Sequence, residues 1–136
     1  MGLVHENITL KNAFDVRDCR RGIIAESQVR QVNIQAMVDT GAETLVINEV
    51  MRQELGLEVM GEQWVRMANE ASCVCKFTEP VEIHWKDRSS IIRAFVLDGS
   101  KEVLLGAIPL EDMNVMVDPG GRRLVGINGD KIIFKI

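Results

Sequence analysis

Residues 36–46, AMVDTGAETLV, set an acid, a hydroxyl and a glycine inside an otherwise apolar run. A carboxylate at the end of an apolar strand is costly to desolvate as an anion. It is tolerated when it is hydrogen-bonded, when it stays protonated, or when it shares a proton with a second acid. Gly41 lacks a Cβ, so its backbone can turn sharply and bring an N–H to the Asp39 carboxylate. Ala42 is small for the same crowding reason, and Thr40 adds a hydroxyl for backbone groups or a partner residue. Such a turn pins a carboxylate between two strands. An ordinary β-turn also favours Asp and Gly, so the tripeptide alone is weak evidence for a site and reads first as a turn.

Other reactive side chains form weaker patterns. Cys73-x-Cys75 with His84 has C-x-C rather than C-x-x-C spacing and lacks an evident fourth ligand, so no metal site is assigned. Alternate cysteines on a strand simply share a face. His5 and His84 are too few and too isolated for a Ser-His or Cys-His hydrolase. Cys19 has basic neighbours in RDCRR and reads as a partly solvated loop cysteine. The glycines form no phosphate loop and no dinucleotide fingerprint, so no cofactor is expected. The seven methionines fall in apolar pattern positions and read as core filler.

The elements around Asp39 are mostly short strands separated by turns. Ile8-Thr9-Leu10 opens the first. Over residues 29–38, Val32, Ile34, Ala36 and Val38 alternate with Gln31, Asn33 and Gln35. Leu45–Ile47 is a short apolar strand, VEIHW (81–85) alternates, and IIRAFVL (91–97) is apolar on both faces, as an internal strand would be. VLL (103–105) and NVMV (114–117) follow, with a turn at Pro119-Gly120-Gly121. At the end, RLVGI and KIIFKI flank Asn128-Gly129, which predicts a hairpin. Helix is scarce. One is predicted over Glu49–Leu55, with Asn48 as N-cap and Gly56 as its stop. A second is predicted to begin at Pro109 and cover Leu110–Met113. IQAMVD (34–39) echoes IRAFVLD (92–98), each followed by a small-residue turn, a short apolar strand and a helix, which would make two half-domains related by a pseudo-twofold.

The 136 residues suit one domain, 1–136, with a sizeable core. A net charge of −4 without a basic stripe argues against nucleic acid. No apolar run approaches the ~20 residues of a membrane helix. The N-terminus lacks a signal-peptide pattern, and Glu6 stands where myristoylation of the Met-Gly start would want Ser or Thr. Three cysteines are an odd count for a disulfide framework, and a reduced, cytoplasmic setting is expected.

The segment AMVDTGAETLVINEVMRQELGL (36–57) resembles the active-site region of retropepsin-type aspartic proteases, in the small single-domain form that bacteria and archaea encode. EVLLGAIPLEDMNVMVDP (102–119) resembles the hydrophobic-hydrophobic-glycine motif of the second half-lobe and the helix and strand after it. The resemblance covers about residues 5–125. It implies an all-β fold, a single-lobe closed β-barrel of six to eight strands with one or two short helices, completed as a homodimer. It implies that Asp39 is catalytic, that Thr40 and Gly41 support it, and that Leu104-Leu105-Gly106 packs beside its loop. By position, WVRMANEASCVCKF (64–77) is the flap hairpin, with its tip at Ala68-Asn69-Glu70. Ala42, Glu43, Ala68, Asn69 and Glu70 would then line the substrate cleft.

Peptide hydrolysis by this chemistry needs two carboxylates sharing one proton; the aspartic-protease dyad is the standard case. One takes a proton from the lytic water and the other protonates the carbonyl oxygen. The chain has no second Asp-Thr-Gly or Asp-Ser-Gly, and Leu97-Asp98-Gly99-Ser100 has the wrong order. Asp39 must therefore meet Asp39 of a second copy across a twofold axis. The family's interlocking threonines imply that Thr40 of each chain bridges to the other. KIIFKI and the N-terminal residues are candidates for an intermolecular sheet or for intramolecular edge strands. Two departures favour a rival reading, a catalytically inactive peptide-binding module on the same fold. Glu43 stands where the family usually has Ser, Thr, Asp or Asn, and the flap tip lacks glycine.

Overall fold

The computed structural model describes residues 3–118 and 120–136. Its first strand, β1 (Val4–Asn12), buries Val4, Ile8 and Leu10 and pairs antiparallel with β2 (Gln31–Val38). Between them lies α1 (Ala13–Arg20), a helix that periodicity does not announce. Its sequence, AFDVRDCR, has no apolar stripe. What starts it is Asn12, whose side chain accepts from the Phe14 and Asp15 amides. Asp15 then receives Arg30 through its backbone N–H and two guanidinium nitrogens, tying the helix to the start of β2.

The next elements are β3 (Leu45–Ile47), α2 (Glu49–Glu54), β4 (Val59–Arg66), β5 (Ser72–Trp85), β6 (Arg88–Val96), β7 (Val103–Leu105) and α3 (Ala107–Asp112). The strands join in the order β1-β2-β7-β3-β6-β5, and β5 pairs back on β1 through Thr9–Asn12 with Val81–His84. Six strands thus close a barrel. Its interior holds Leu10, Leu45, Ile47, Val81, Ile83, Ala94 and Leu105. β4 pairs outside the barrel with the first half of β5. β6 is internal to the sheet as expected, but only one face is buried: Ile91 is 61% exposed.

The internal echo has a physical counterpart. Adding 58 carries Ala36 onto Ala94, Leu45 onto Val103 and Glu49 onto Ala107. β2 runs parallel to β7 in the same register as β6 runs parallel to β3, while β3 and β7 meet antiparallel at the centre. Two β-loop-β-α units therefore interlock, each supplying a strand that the other lacks.

The C-terminal region departs from expectation. β8 (Val115–Asp118) pairs with β9 (Arg123–Gly126), and neither joins the barrel sheet. Of the expected Pro119-Gly120-Gly121 turn, Pro119 lies outside the described residues, while the Gly120 N–H donates to Asp118 Oδ1 at 3.1 Å. The predicted hairpin around Asn128-Gly129 shrinks to a single bridge, Asn128 to Lys131, although Gly129 takes the expected positive φ of 67°. β9 is already paired with β8, and Arg88 binds the Gly129 and Lys131 carbonyls that a ladder would use. Residues 132–136 form no strand within the chain, and Ile132, Ile133, Phe134 and Ile136 are exposed.

Candidate active site

β2 delivers Asp39. Val38 is the last strand residue, opposite Leu105 of β7, and the Asp39 N–H extends the ladder to the Leu105 carbonyl at 3.0 Å. The chain then folds back. The Ala42 N–H donates to the Asp39 carbonyl at 3.1 Å, and the Gly41 N–H donates to Asp39 Oδ1 at 2.9 Å. A Cβ on Gly41 would stand 3.2 Å from that oxygen, so glycine is what lets the amide face the carboxylate.

The far side of the loop is fastened by α3. Gly106 donates to the Thr44 carbonyl at 2.9 Å, Ala107 to the Ala42 carbonyl at 2.8 Å and Ile108 to the Glu43 carbonyl at 2.8 Å. These are the first amides of a helix, which have no acceptor within it. Pro109 was expected at the first helical position and stands third. The two positions before it must donate to the loop, and in the first turn proline forfeits no intrahelical bond. Gly106 is fixed by contact. A Cβ there would lie 2.7 Å from both the Ala42 carbonyl oxygen and the Thr44 nitrogen, and closer still to the Thr44 oxygen. Leu104-Leu105-Gly106 does pack beside the Asp39 loop, as expected.

Held this way, Asp39 is half-buried, Ala42 is half-buried, and Thr40, Gly41 and Glu43 are exposed to differing degrees at the loop surface. The Thr40 hydroxyl and the Glu43 carboxylate make no hydrogen bond among the described residues. Glu43 is bound by its backbone only. The loop therefore presents the Asp39 carboxylate, pinned by its own turn, beside the unbonded Thr40 hydroxyl and Glu43 carboxylate, on a backbone braced by hydrogen bonds to residues 105–108.

The hairpin expected as the flap is longer than the sequence suggests, with pairing from Val59 opposite Thr78 to Arg66 opposite Ser72. Ala68, Asn69 and Glu70 form its tip. The Glu70 N–H reaches the Met67 carbonyl at 3.0 Å, and the Ala71 N–H reaches Asn69 Oδ1 at 3.1 Å. Glu70 adopts φ 70°, a left-handed conformation that glycine would take without strain. No hydrogen bond among the described residues joins this tip to the Asp39 loop. Cys73 and Cys75 lie on one face of the hairpin with their sulfurs 3.7 Å apart. Burial and the neighbouring Cys73 push the Cys75 thiol up to about 11. His84 pairs with Glu82 at 2.6 Å on the barrel wall.

Sequence reasoning missed Asn48 in its second role. As expected it caps α2, accepting from the Met51 N–H at 2.8 Å. Its Nδ2 also donates to the Ser100 carbonyl at 3.2 Å and so holds the 97–102 loop. The 58-residue shift was the available signal, because it sets Asn48 where Gly106 stands in the other unit.

A profile of the gag-polyprotein putative aspartyl proteases matches residues 25–112. A search of curated proteins found no match. Among solved structures, the fold is similar to a retropepsin-like aspartic protease from Rickettsia conorii, with a TM-score of 0.56 and 19% identity over 86% of this chain and 77% of that one. It is also similar to the retroviral protease-like domain of Ddi1 from Leishmania major, with a TM-score of 0.57 and 14% identity over 97% of this chain and 91% of that one.

Proposed function

The chain belongs to the gag-polyprotein aspartyl protease family, and on that footing we propose that it is an aspartic endopeptidase whose active site forms between two copies. The observation that carries this reading is the Asp39 loop: an accessible carboxylate pinned by the Gly41 amide, on a backbone braced from both sides, in a chain with no second Asp-Thr-Gly. Two such loops facing each other across a twofold axis would set two carboxylates close together. Like charges at that distance cannot both ionise, so the pair holds one proton. The ionised member takes a proton from water as it attacks the peptide carbonyl, and the protonated member donates to the carbonyl oxygen. No metal or organic cofactor enters this scheme.

The Gly41 amide steadies the carboxylate, and the free Thr40 hydroxyl is available to the other chain's loop. Ala42, Glu43, Ala68, Asn69 and Glu70 line the cleft. The substrate is a peptide or protein, the whole chain 1–136 acts as one domain, and the setting is cytoplasmic. No helix among the described residues is long and apolar enough to cross a membrane. The exposed segment 132–136 supports pairing between copies, because it forms no strand within its own chain. The test is Asp39→Asn in a peptide digest across about pH 3–7, the range in which carboxylates titrate. Cleavage disappears while sedimentation still shows the dimer; undiminished cleavage ends the proposal.

Glu70 gives a second reading a foothold. Its left-handed φ at the tip stiffens a segment where mobility serves turnover. A peptide-binding module on the same fold would grip extended peptides by strand addition without cutting them. Titrating a peptide library against the native dimer separates the two: binding without products at any pH favours the module.

A further inference from the structure

Arg88 opens β6 and is only 3% exposed, yet no carboxylate neutralises it closely. Its ion-pair neighbour, Asp87, is 3.8 Å away with a 70% exposed side chain. The guanidinium is instead caged by carbonyl oxygens from two separate segments. Nη1 donates to Asn114 at 2.5 Å and Met113 at 3.4 Å, and Nη2 to Gly129 at 2.5 Å and Lys131 at 3.4 Å. Gly126 makes the space: a Cβ there would lie 2.9 Å from the Arg88 Cζ.

Asn114 completes the arrangement. It is buried, in a left-handed conformation of φ 60°. Its carbonyl accepts from the Ile127 N–H at 3.0 Å, its Oδ1 from Asn128 Nδ2 at 3.0 Å, and its Nδ2 donates to the Ile133 carbonyl at 3.0 Å. Residues 127–133 are thus fastened at four points by two side chains rather than by a ladder. In the segment they launch, Ile132, Ile133 and Phe134 are about half exposed and Ile136 is fully exposed. A buried cation whose hydrogen bonds all go to carbonyls is held in one geometry, since a displacement leaves its N–H groups unpaired.

We propose that Arg88, with Asn114, is a positioning residue for assembly: it holds the C-terminal segment in the one placement that leaves its apolar side chains partly open to a partner, and so sets the affinity of one copy of this chain for another. This rests on the two-chain reading of Asp39. A bidentate fork is needed to span both segments, so lysine does not substitute for Arg88.

The experiment compares Arg88→Met, Arg88→Lys and removal of residues 132–136 by sedimentation equilibrium and by activity against chain concentration. Each raises the dimer dissociation constant about tenfold or more, equivalent to about 1.4 kcal/mol. The rate at saturating chain concentration stays at the native value. Combining Arg88→Met with the truncation adds nothing further. Joining two Arg88→Met copies by a flexible linker restores activity at low concentration. Asn128→Ala, which removes an outer contact of Asn114, shifts dissociation in the same direction by less and serves if Arg88→Met does not fold. An unchanged dissociation constant, additive effects, or no rescue in the linked dimer overturns the proposal. Failure of the underlying reading looks different: the native chain sediments as a monomer at every concentration, or a linked dimer lacking both Asp39 carboxylates still cleaves.

Discussion

The loops 39–44 and 97–102 occupy equivalent places in the two interlocked units, yet only one holds a carboxylate against its own turn. Both begin alike: the Asp39 N–H bonds the Leu105 carbonyl at 3.0 Å, and the Leu97 N–H bonds the Ile47 carbonyl at 2.9 Å. They then diverge. Loop 39–44 is fastened by the Gly106, Ala107 and Ile108 amides, whereas loop 97–102 is fastened by the Asn48 side chain on Ser100. Leu97 stands where Asp39 stands, and Asp98 falls one residue later. Gly99 has φ 85° and open space, with nothing within 4 Å of where a Cβ would sit, whereas Gly106 is walled in by backbone. The frame is duplicated, but the close backbone packing that rigidifies a carboxylate is not.

The largest effect that separates the loops is on cleavage. Asp39→Asn lowers the rate by about 10²–10⁴-fold, the range for losing an acid-base group. Asp98→Asn, assayed alongside, leaves it near native; equal losses would erase the distinction. Next comes packing. Gly106→Ala forces a methyl into the Ala42 and Thr44 backbone and costs about 1–3 kcal/mol in chemical denaturation, as overpacking does. Gly99→Ala meets no atom and costs about 1–2 kcal/mol from its positive φ alone. Only the first also disturbs the Asp39 turn and hence turnover.

Asn48→Ala removes an N-cap and the tie to Ser100, with an expected loss of about 1 kcal/mol. Hydrogen exchange then rises in loop 97–102 and not in loop 39–44. The smallest effect lies outside both loops and serves as their control at acid pH. Arg30 beside Asp15 holds its carboxyl below the usual 3.8. The ion pair therefore contributes fully above that value and is lost as pH falls through the lowered folded pKa. Asp15→Asn should flatten the acid limb of a stability profile without moving the acid limb of the activity profile. If both limbs move together, acid inactivation reflects unfolding rather than the carboxylates at the site.

Much of the site was legible because it is local. The period-two pattern of Val32 to Val38 found β2, and Asn48 and Gly56 bounded α2, whose Gly56 takes φ 63° as a stop should. The Asp39–Gly41 contact spans two residues, so glycine's missing side chain could be argued before any fold was known. α1 escaped because one cap, rather than an apolar face, starts it, and its anchor Arg30 lies ten residues past its end.

What the chain's order of residues determined alone is thus what neighbours within a few positions can enforce: strand alternation, caps, and a carboxylate met by its own turn. Which backbone braces that turn, why Gly106 admits no side chain, and where the C-terminus goes were decided only by tertiary structure. Those outcomes depend on groups far apart in the chain being brought into contact, such as Ala42 with Ala107 and Arg88 with Gly129. A hydrogen bond between distant segments leaves no period or spacing in the chain, because the closure of the barrel, not local conformation, sets the distance.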